Sequence, residues 1–189
     1  MQSFKKSVML SKRAYEIAFV GLKHGEHEFT YNLQDEFFNE KANEPVEQMN
    51  ANVKLLLNKH KDFMLLKFQT GGTAKVNCDK CGNELSTNLW DEFSVVVKLV
   101  ENPEEMNALE EDADIFYIAR SESHLEVSNW LYEFVLLSLP TQNECGTNNE
   151  GVLLCNTDVL KKLAEMKSQA DEPKENSIWK GLEKFKDNY

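Results

Sequence analysis

The chain has 189 residues and a formal net charge of −11, which is enough length for one sizeable core but short for two typical domains. Hydrophobic residues make up 41% and charged residues 28% of the chain, a composition that excludes a largely disordered protein. No apolar run approaches the ~20 residues that span a bilayer, and the N-terminal residues lack the apolar stretch of a signal peptide. We therefore expect a single domain over residues 1–189, located in the cytoplasm.

Charge is unevenly distributed along the chain. Residues 1–75 contain 11 basic and 9 acidic residues, whereas residues 76–189 contain 10 basic and 23 acidic ones. An acidic protein cannot coat nucleic acid with its whole surface, because phosphate contacts require lysine and arginine in local excess. We therefore expect any RNA contact in the first part of the chain, while the acidic part could face a basic protein.

The first 120 residues show mostly β-strand patterns. Residues 15–33 predict a hairpin with its turn at 23–27, and residues 34–50 predict a loop or a short helix. Alternating apolar residues then indicate two core-facing rows, formed by Val53, Leu55 and Leu57 and by Met64, Leu66 and Phe68. The strands predicted after residue 50 are 52–58, 63–69, 74–78 and 85–100, with turns at 59–62 and 71–73.

The acidic run at residues 101–114 has seven acids and no base, which predicts a solvated loop, and an apolar strand follows at 114–120. Helices are predicted in the last part of the chain. The first contains the stripe Val127, Leu131, Phe134, Val135 and Leu139 and ends before Pro140. The second has Asn156 or Thr157 as its N-cap and an apolar side of Val159, Leu160, Leu163 and Met166; a linker at 168–176 and a short helix over 177–189 follow.

These patterns together predict an α+β fold, in which residues 1–120 are mostly β and residues 121–189 mostly helical. The β part is expected to form an antiparallel meander sheet or a partly closed barrel, with the C-terminal helices packed on it.

The four cysteines are the strongest chemical signal. Cys78 and Cys81 lie in a C-x-x-C-G turn between two predicted strands, where two thiolates can grip one tetrahedral ion from the same side. Cys145 and Cys155 could complete a four-thiolate structural zinc site, although their spacing is not that of a second zinc knuckle. The residues leave two alternatives open, namely four reduced thiols without metal and a redox pair. The redox pair is disfavoured because the motif precedes a strand rather than opening a helix.

Enzyme motifs are missing from the sequence. There is no phosphate-binding loop, no G-x-S-x-G and no H-E-x-x-H. His24 and His27 have an H-x-x-H spacing in a turn, but no third ligand is evident nearby. Four thiolates would leave no open coordination position, so a metal-dependent enzyme ranks last among the hypotheses.

A lysine cluster in the second group of strands suggests an RNA contact. Lys54, Lys59, Lys61 and Lys67 are interleaved with Phe63 and Phe68, and basic sheet faces with aromatic residues bind RNA through phosphates and base stacking. An ordinary solvated sheet face explains the same pattern equally well.

The order of these features resembles the YceD-like family of large ribosomal RNA subunit accumulation proteins. The resemblance rests on the C-x-x-C at 78–81, the acidic run, the strand DIFYIAR, a helix ending in LLSLP, a loop with further cysteines and the tail SIWKGLEKF. It implies a role in the synthesis, processing or accumulation of 23S ribosomal RNA, and it implies no catalytic residue.

The leading hypothesis is therefore a non-catalytic ribosome-biogenesis factor that binds precursor RNA or a large-subunit ribosomal protein, with no membrane partner and no small-molecule substrate. The alternative is an adaptor that binds proteins through the acidic run.

Overall fold

The computed structural model describes residues 12–41 and 48–170. The predicted helix over 177–189 lies outside the described residues. Among the helices in the described part of the chain, none is both long and apolar enough to cross a membrane.

The chain divides into two compact units. The first consists of Met1–Val76 and Glu84–Gln142, and the second of Asn77–Asn83 and Asn143–Tyr189. The first unit holds the sheet and three α-helices, and the second holds all four cysteines. The single domain over 1–189 stays a prediction.

Seven strands and four α-helices are described. Two short 3₁₀ segments, Lys12–Tyr15 and Phe19–Gly21, flank the first strand. The strands are β1 (Glu16–Ile17), β2 (Gly25–Gln34), β3 (Asn50–Lys59), β4 (Phe63–Asn77), β5 (Glu84–Val100), β6 (Ile115–Ala119) and β7 (Leu125–Glu126), and the helices are α1 (Asp35–Asn39), α2 (Pro103–Leu109), α3 (Ser128–Leu137) and α4 (Thr157–Ala170).

The main sheet has the order β2-β3-β4-β5-β6 and stays open rather than closing into a barrel. The pairs β2–β3 and β3–β4 are antiparallel, whereas β5 and β6 are parallel. A parallel pair needs a crossover connection, usually a helix, and α2 lies in that connection. The α+β prediction is confirmed, but the acidic run at 101–114 is not the simple loop expected, because it contains α2.

The predicted hairpin at 15–33 is wrong. β1 pairs with β7 rather than with β2, and the Phe19–Gly21 turn separates β1 from β2. β2 instead pairs along its whole length with β3. Only two residues of the first apolar run are extended, so β3 offers β2 a far longer partner.

The predicted turn at 71–73 is also wrong, because β4 runs through it without interruption. Gly72 has a φ of 136° and lies so close to β3 that an added Cβ would overlap the carbonyl oxygen of Asn50. Glycine is needed here because the backbone of β3 leaves no room for a side chain.

The helix predictions are largely confirmed, with shifted ends. α3 ends at Leu137, before Pro140, and α4 begins at Thr157 after the N-cap Asn156, whose Oδ1 accepts the N–H of Asp158 at 3.1 Å. α4 continues to Ala170, so the linker predicted from Ser168 is helical at its start.

The core lies between one face of the sheet and α1 and α3. Both predicted rows on β3 and β4 are buried, as the period of two requires. From α3, the ring of Phe134 stacks on Phe93 at 4.4 Å and meets Phe68 edge-on at 5.0 Å. Each fully buried side chain of this size contributes about 1.5–3 kcal/mol, so α3 is a principal anchor of the first unit.

Candidate metal centre and exposed sheet face

The C-x-x-C-G turn between β4 and β5 brings two thiols to the same side. The N–H of Cys78 donates to the carbonyl of Asn83, and the N–H of Gly82 donates to the carbonyl of Cys78, both at 2.8 Å. Gly82 has a φ of 74°, a left-handed conformation that glycine adopts without steric cost. Hydrogen bonds within the backbone therefore hold the turn in shape without a bound ligand.

A small hairpin brings Cys145 and Cys155 together despite the nine residues between them. Thr147 and Leu153 form an antiparallel bridge, and the N–H of Leu154 donates to the carbonyl of Gly146 at 3.1 Å. The hairpin thus brings Cys155 back next to Cys145 before α4 begins. The spacing that differs from a zinc knuckle in the sequence is the length of this hairpin.

All four cysteine Sγ atoms lie within 4.8 Å of one another. The Sγ atoms of Cys81 and Cys145 are 3.5 Å apart, and those of Cys78 and Cys155 are 3.9 Å apart. Four sulfurs bound tetrahedrally to zinc at ~2.3 Å would be about 3.8 Å from each other. The four cysteines are unbridged, and these separations suit a shared ion rather than an S–S bond of about 2.05 Å.

The thiols differ in acidity. Burial raises the pKa of Cys78, but the backbone N–H groups of Lys80 and Cys81 and the neighbouring thiols outweigh it and lower the pKa to about 6. Burial is the main cause that raises the pKa of Cys145 to about 12, and the hydrogen bonds to the three other cysteines and the charge of Cys155 raise it further. A bound divalent cation would stabilise all four thiolates together.

The histidines do not join this cluster. Among the described residues, the four cysteines are the group of side chains placed to hold a metal ion. The Nε2 of His27 bonds to the carbonyl of Lys23 at 2.9 Å, and the Nδ1 of His124 bonds to the hydroxyl of Ser123. His60 stacks on Phe63 with ring centroids 4.4 Å apart.

The four predicted RNA-binding lysines have different surroundings. Lys54 forms an ion pair with Glu28 at 2.9 Å, and Lys67 forms one with Glu92 at 2.6 Å. The Nζ of Lys59 donates to backbone carbonyls that precede β2, at 2.7 Å to that of Phe19 and 2.9 Å to that of Leu22. Lys61 is exposed in the turn between β3 and β4.

Lys54 and Lys67 share the face of the sheet opposite the core, which we call the outer face. On strands β2 to β5, side-chain alternation places equal numbers of charged residues of each sign on this face. They are Lys54, Lys67, Lys75 and Lys98 and Glu26, Glu28, Glu84 and Glu92.

Trp90 also lies on the outer face and was missed in the sequence analysis. Its side chain is 77% exposed in the middle of β5, while its neighbour Leu89 and the later Val95 and Val97 are buried. The strand alternation could have revealed it, since Leu89, Val95 and Val97 share one face and Trp90 falls on the other.

An open, mostly antiparallel sheet with α1 and α3 packed on one face, together with a mostly buried four-cysteine cluster, defines an α+β protein with a candidate thiolate metal centre. The model of the family described as large ribosomal RNA subunit accumulation protein YceD matches residues 66–186. The chain belongs to this family, which confirms the resemblance. No match was found among curated proteins or solved structures. The matched region contains Trp90 and all four cysteines, while Lys54, Lys59 and Lys61 precede it.

Proposed function

We propose that the protein supports the accumulation of 23S ribosomal RNA in the cytoplasm as a non-catalytic factor that binds precursor RNA through the outer face of its sheet. The family match over residues 66–186 carries the proposal, because the family's description connects it with large-subunit ribosomal RNA. The contact itself is argued from the charges of the outer face.

The outer face is less negatively charged than the chain as a whole. Its charged residues balance on strands β2 to β5, although the chain carries −11 in total. Lys54 and Lys67 remain 41% and 45% exposed within their ion pairs. Exposed ion pairs stabilise a protein by about 0–1 kcal/mol, so phosphates can replace the carboxylates at little cost. Lys61, exposed in the turn between β3 and β4, extends the proposed RNA contact to the end of these strands. The amine of Lys59 is already bonded to backbone carbonyls, so we expect it to contribute least to RNA binding.

Charge reversal at Lys54 and Lys67 tests this contact. The double variant Lys54→Glu and Lys67→Glu should weaken RNA binding and reduce the steepness of its salt dependence by about 1.4, since each single-strand phosphate contact contributes roughly 0.7 to the slope. Fluorescence anisotropy with labelled precursor fragments at several salt concentrations gives both quantities.

The matched control reverses Lys161 and Lys162, which are exposed on α4 and produce the same change in net charge. An equal loss in the control would mean that only total charge matters. Unchanged affinity in the test variant would remove the outer face as the RNA site.

We also propose that the four cysteines hold a structural zinc ion. In the second unit, the described buried side chains are those of Cys78, Cys81 and Cys155, and no larger apolar side chain accompanies them. The described residues of this unit form no apolar core and need another source of stability, and thiolates in a tetrahedral arrangement favour zinc. Four protein ligands leave no position for a reacting water, so the ion would stabilise rather than catalyse.

A second candidate function is an adaptor that binds a basic large-subunit ribosomal protein through residues 101–114. The observation in its favour is that α2 exposes Met106 and Leu109 among the acidic residues, with Leu109 at 72%. Affinity capture from growing cells, with and without ribonuclease, separates the two functions. Large-subunit proteins that remain bound after ribonuclease favour the adaptor, whereas recovery of 23S precursor that is lost on digestion favours RNA binding.

A further inference from the structure

Trp90 is an exposed aromatic residue without a ring partner among the described residues. It lies near the middle of the 17-residue strand β5 and exposes 77% of its surface, whereas Trp130, the other described tryptophan, exposes 9%. A strand position surrounded by polar residues would ordinarily carry a small or polar side chain. Tryptophan is enriched among the residues that carry most of the energy at binding interfaces.

The surroundings of Trp90 are held in place by hydrogen bonds. Two residues further along the same face, the carboxylate of Glu92 accepts the Nζ of Lys67 at 2.6 Å and the Nε2 of Gln69 at 2.9 Å. These bonds hold Lys67 and Gln69 of the adjacent strand. An exposed indole and an amine that can reach a phosphate therefore lie on the same face of the sheet, with Glu92 two residues from Trp90 along β5.

We propose that Trp90 stacks on an unpaired base, so that the outer face binds single-stranded rather than double-stranded RNA. This inference rests on the proposed function and names its substrate class. Single-stranded RNA presents free base faces that stack on aromatic side chains, with lysines contacting the neighbouring phosphates. In a duplex both faces of each base are already stacked on neighbouring pairs, so this surface can contact the phosphates and 2′-hydroxyls but has no free base face to stack on.

The test compares the unmodified protein with Trp90→Ala and Trp90→Phe. The probes are a labelled single-stranded oligoribonucleotide of about 12 nucleotides, a length near the upper range for small binding surfaces, and the same strand annealed to its complement. Trp90→Ala should weaken single-strand binding by roughly 5- to 150-fold, the range expected for loss of one base–aromatic stack. Trp90→Phe should restore most of the affinity, because phenylalanine keeps an aromatic face.

Two further readouts distinguish stacking from electrostatics and from damage to the fold. Trp90 contacts no phosphate in this proposal, so Trp90→Ala should leave the salt slope and the duplex affinity unchanged. Leu137→Ala removes another exposed apolar side chain, 64% exposed at the end of α3, and should bind both probes normally. Both alanine variants should unfold at the temperature of the unmodified protein.

Equal single-strand affinity in Trp90→Ala and the unmodified protein would overturn the inference while leaving the proposed function intact. A parallel loss on both probes would also overturn it, since stacking predicts a selective loss. If the unmodified protein binds neither probe, the proposed function fails as well. If Trp90→Ala instead loses a captured ribosomal protein, the residue belongs to a protein interface and the inference is wrong.

Discussion

Replacing Cys81 by serine should unfold the second unit while the first unit stays folded. The structure gives the scale of the effect, because five of the larger apolar side chains described in the second unit are between 46% and 59% exposed. Ordering each residue costs about 1–2 kcal/mol of backbone entropy, and apolar burial offsets little of it here. Structural zinc sites supply on the order of 10–16 kcal/mol at neutral pH. The exposed side chains are those of Val152, Leu153, Leu154, Leu163 and Met166.

Two measurements check this prediction on the same samples. Elemental analysis should find about one zinc per chain in the unmodified protein and far less in Cys81→Ser. Hydrogen exchange followed by mass spectrometry should show that amides of residues 143–168 lose protection in the variant, whereas amides of β3 keep theirs. Chelation of the unmodified protein should reproduce the pattern.

Lys80→Ala is the matched control, since it changes the same turn but removes only the exposed ion pair with Glu144, at 2.8 Å. It should keep its zinc and its amide protection. The metal proposal is refuted if the unmodified protein, purified without chelator, contains well under one zinc per chain. It is also refuted if Cys81→Ser keeps full protection over residues 143–168.

Three further predictions concern the first unit. Gly72→Ala should lower the free energy of unfolding by more than about 2 kcal/mol in urea titrations, because the new Cβ would overlap the facing strand at a φ of 136°. Phe134→Ala should cost about 3–5 kcal/mol in the same assay, because it removes the ring stacked on Phe93. The Tyr117 hydroxyl, 2.6 Å from Glu110, lowers the pKa of that carboxyl. Because the pKa of Glu110 is lower in the folded than in the unfolded protein, the carboxylate stabilises the fold at pH values above its unfolded-state pKa, and this stabilisation is lost as the pH falls through the folded-state pKa. Tyr117→Phe removes the hydroxyl and should therefore raise the Glu110 pKa measured by NMR.

Each of these predictions has a result that would contradict it. Gly71→Ala is the control for Gly72→Ala, because the nearest atom to its added Cβ is 4.0 Å away; equal costs would disprove the steric explanation. Leu137→Ala, at an exposed site, should cost under about 0.5 kcal/mol, and a similar loss for Phe134→Ala would mean that its stacking contributes little. An unshifted Glu110 pKa in Tyr117→Phe would exclude the hydroxyl as the cause.

Period-two alternation identified the buried faces of β3 and β4 correctly, because a strand's side-chain directions are a local property. Strand pairing was predicted less well. The hairpin at 15–33 failed because the sequence does not show that β7, more than 100 residues away, is the partner of β1. The turn at 71–73 failed because two glycines can mark either a turn or a close approach of another strand.

The candidate site likewise has features that the sequence showed and features that depend on contacts between distant residues. The C-x-x-C-G turn, the four cysteines, the family resemblance and the uneven distribution of charge can all be read from the order of the residues. That Cys145 and Cys155 meet the first pair, that glutamates face Lys54 and Lys67, and that Trp90 is exposed became evident only in the folded chain. The two groups differ in how far apart the interacting residues are in the sequence. Backbone conformation and side-chain direction are set by neighbouring residues, whereas a shared thiol cluster, an ion pair or an uncovered ring depends on which distant segments the fold brings together.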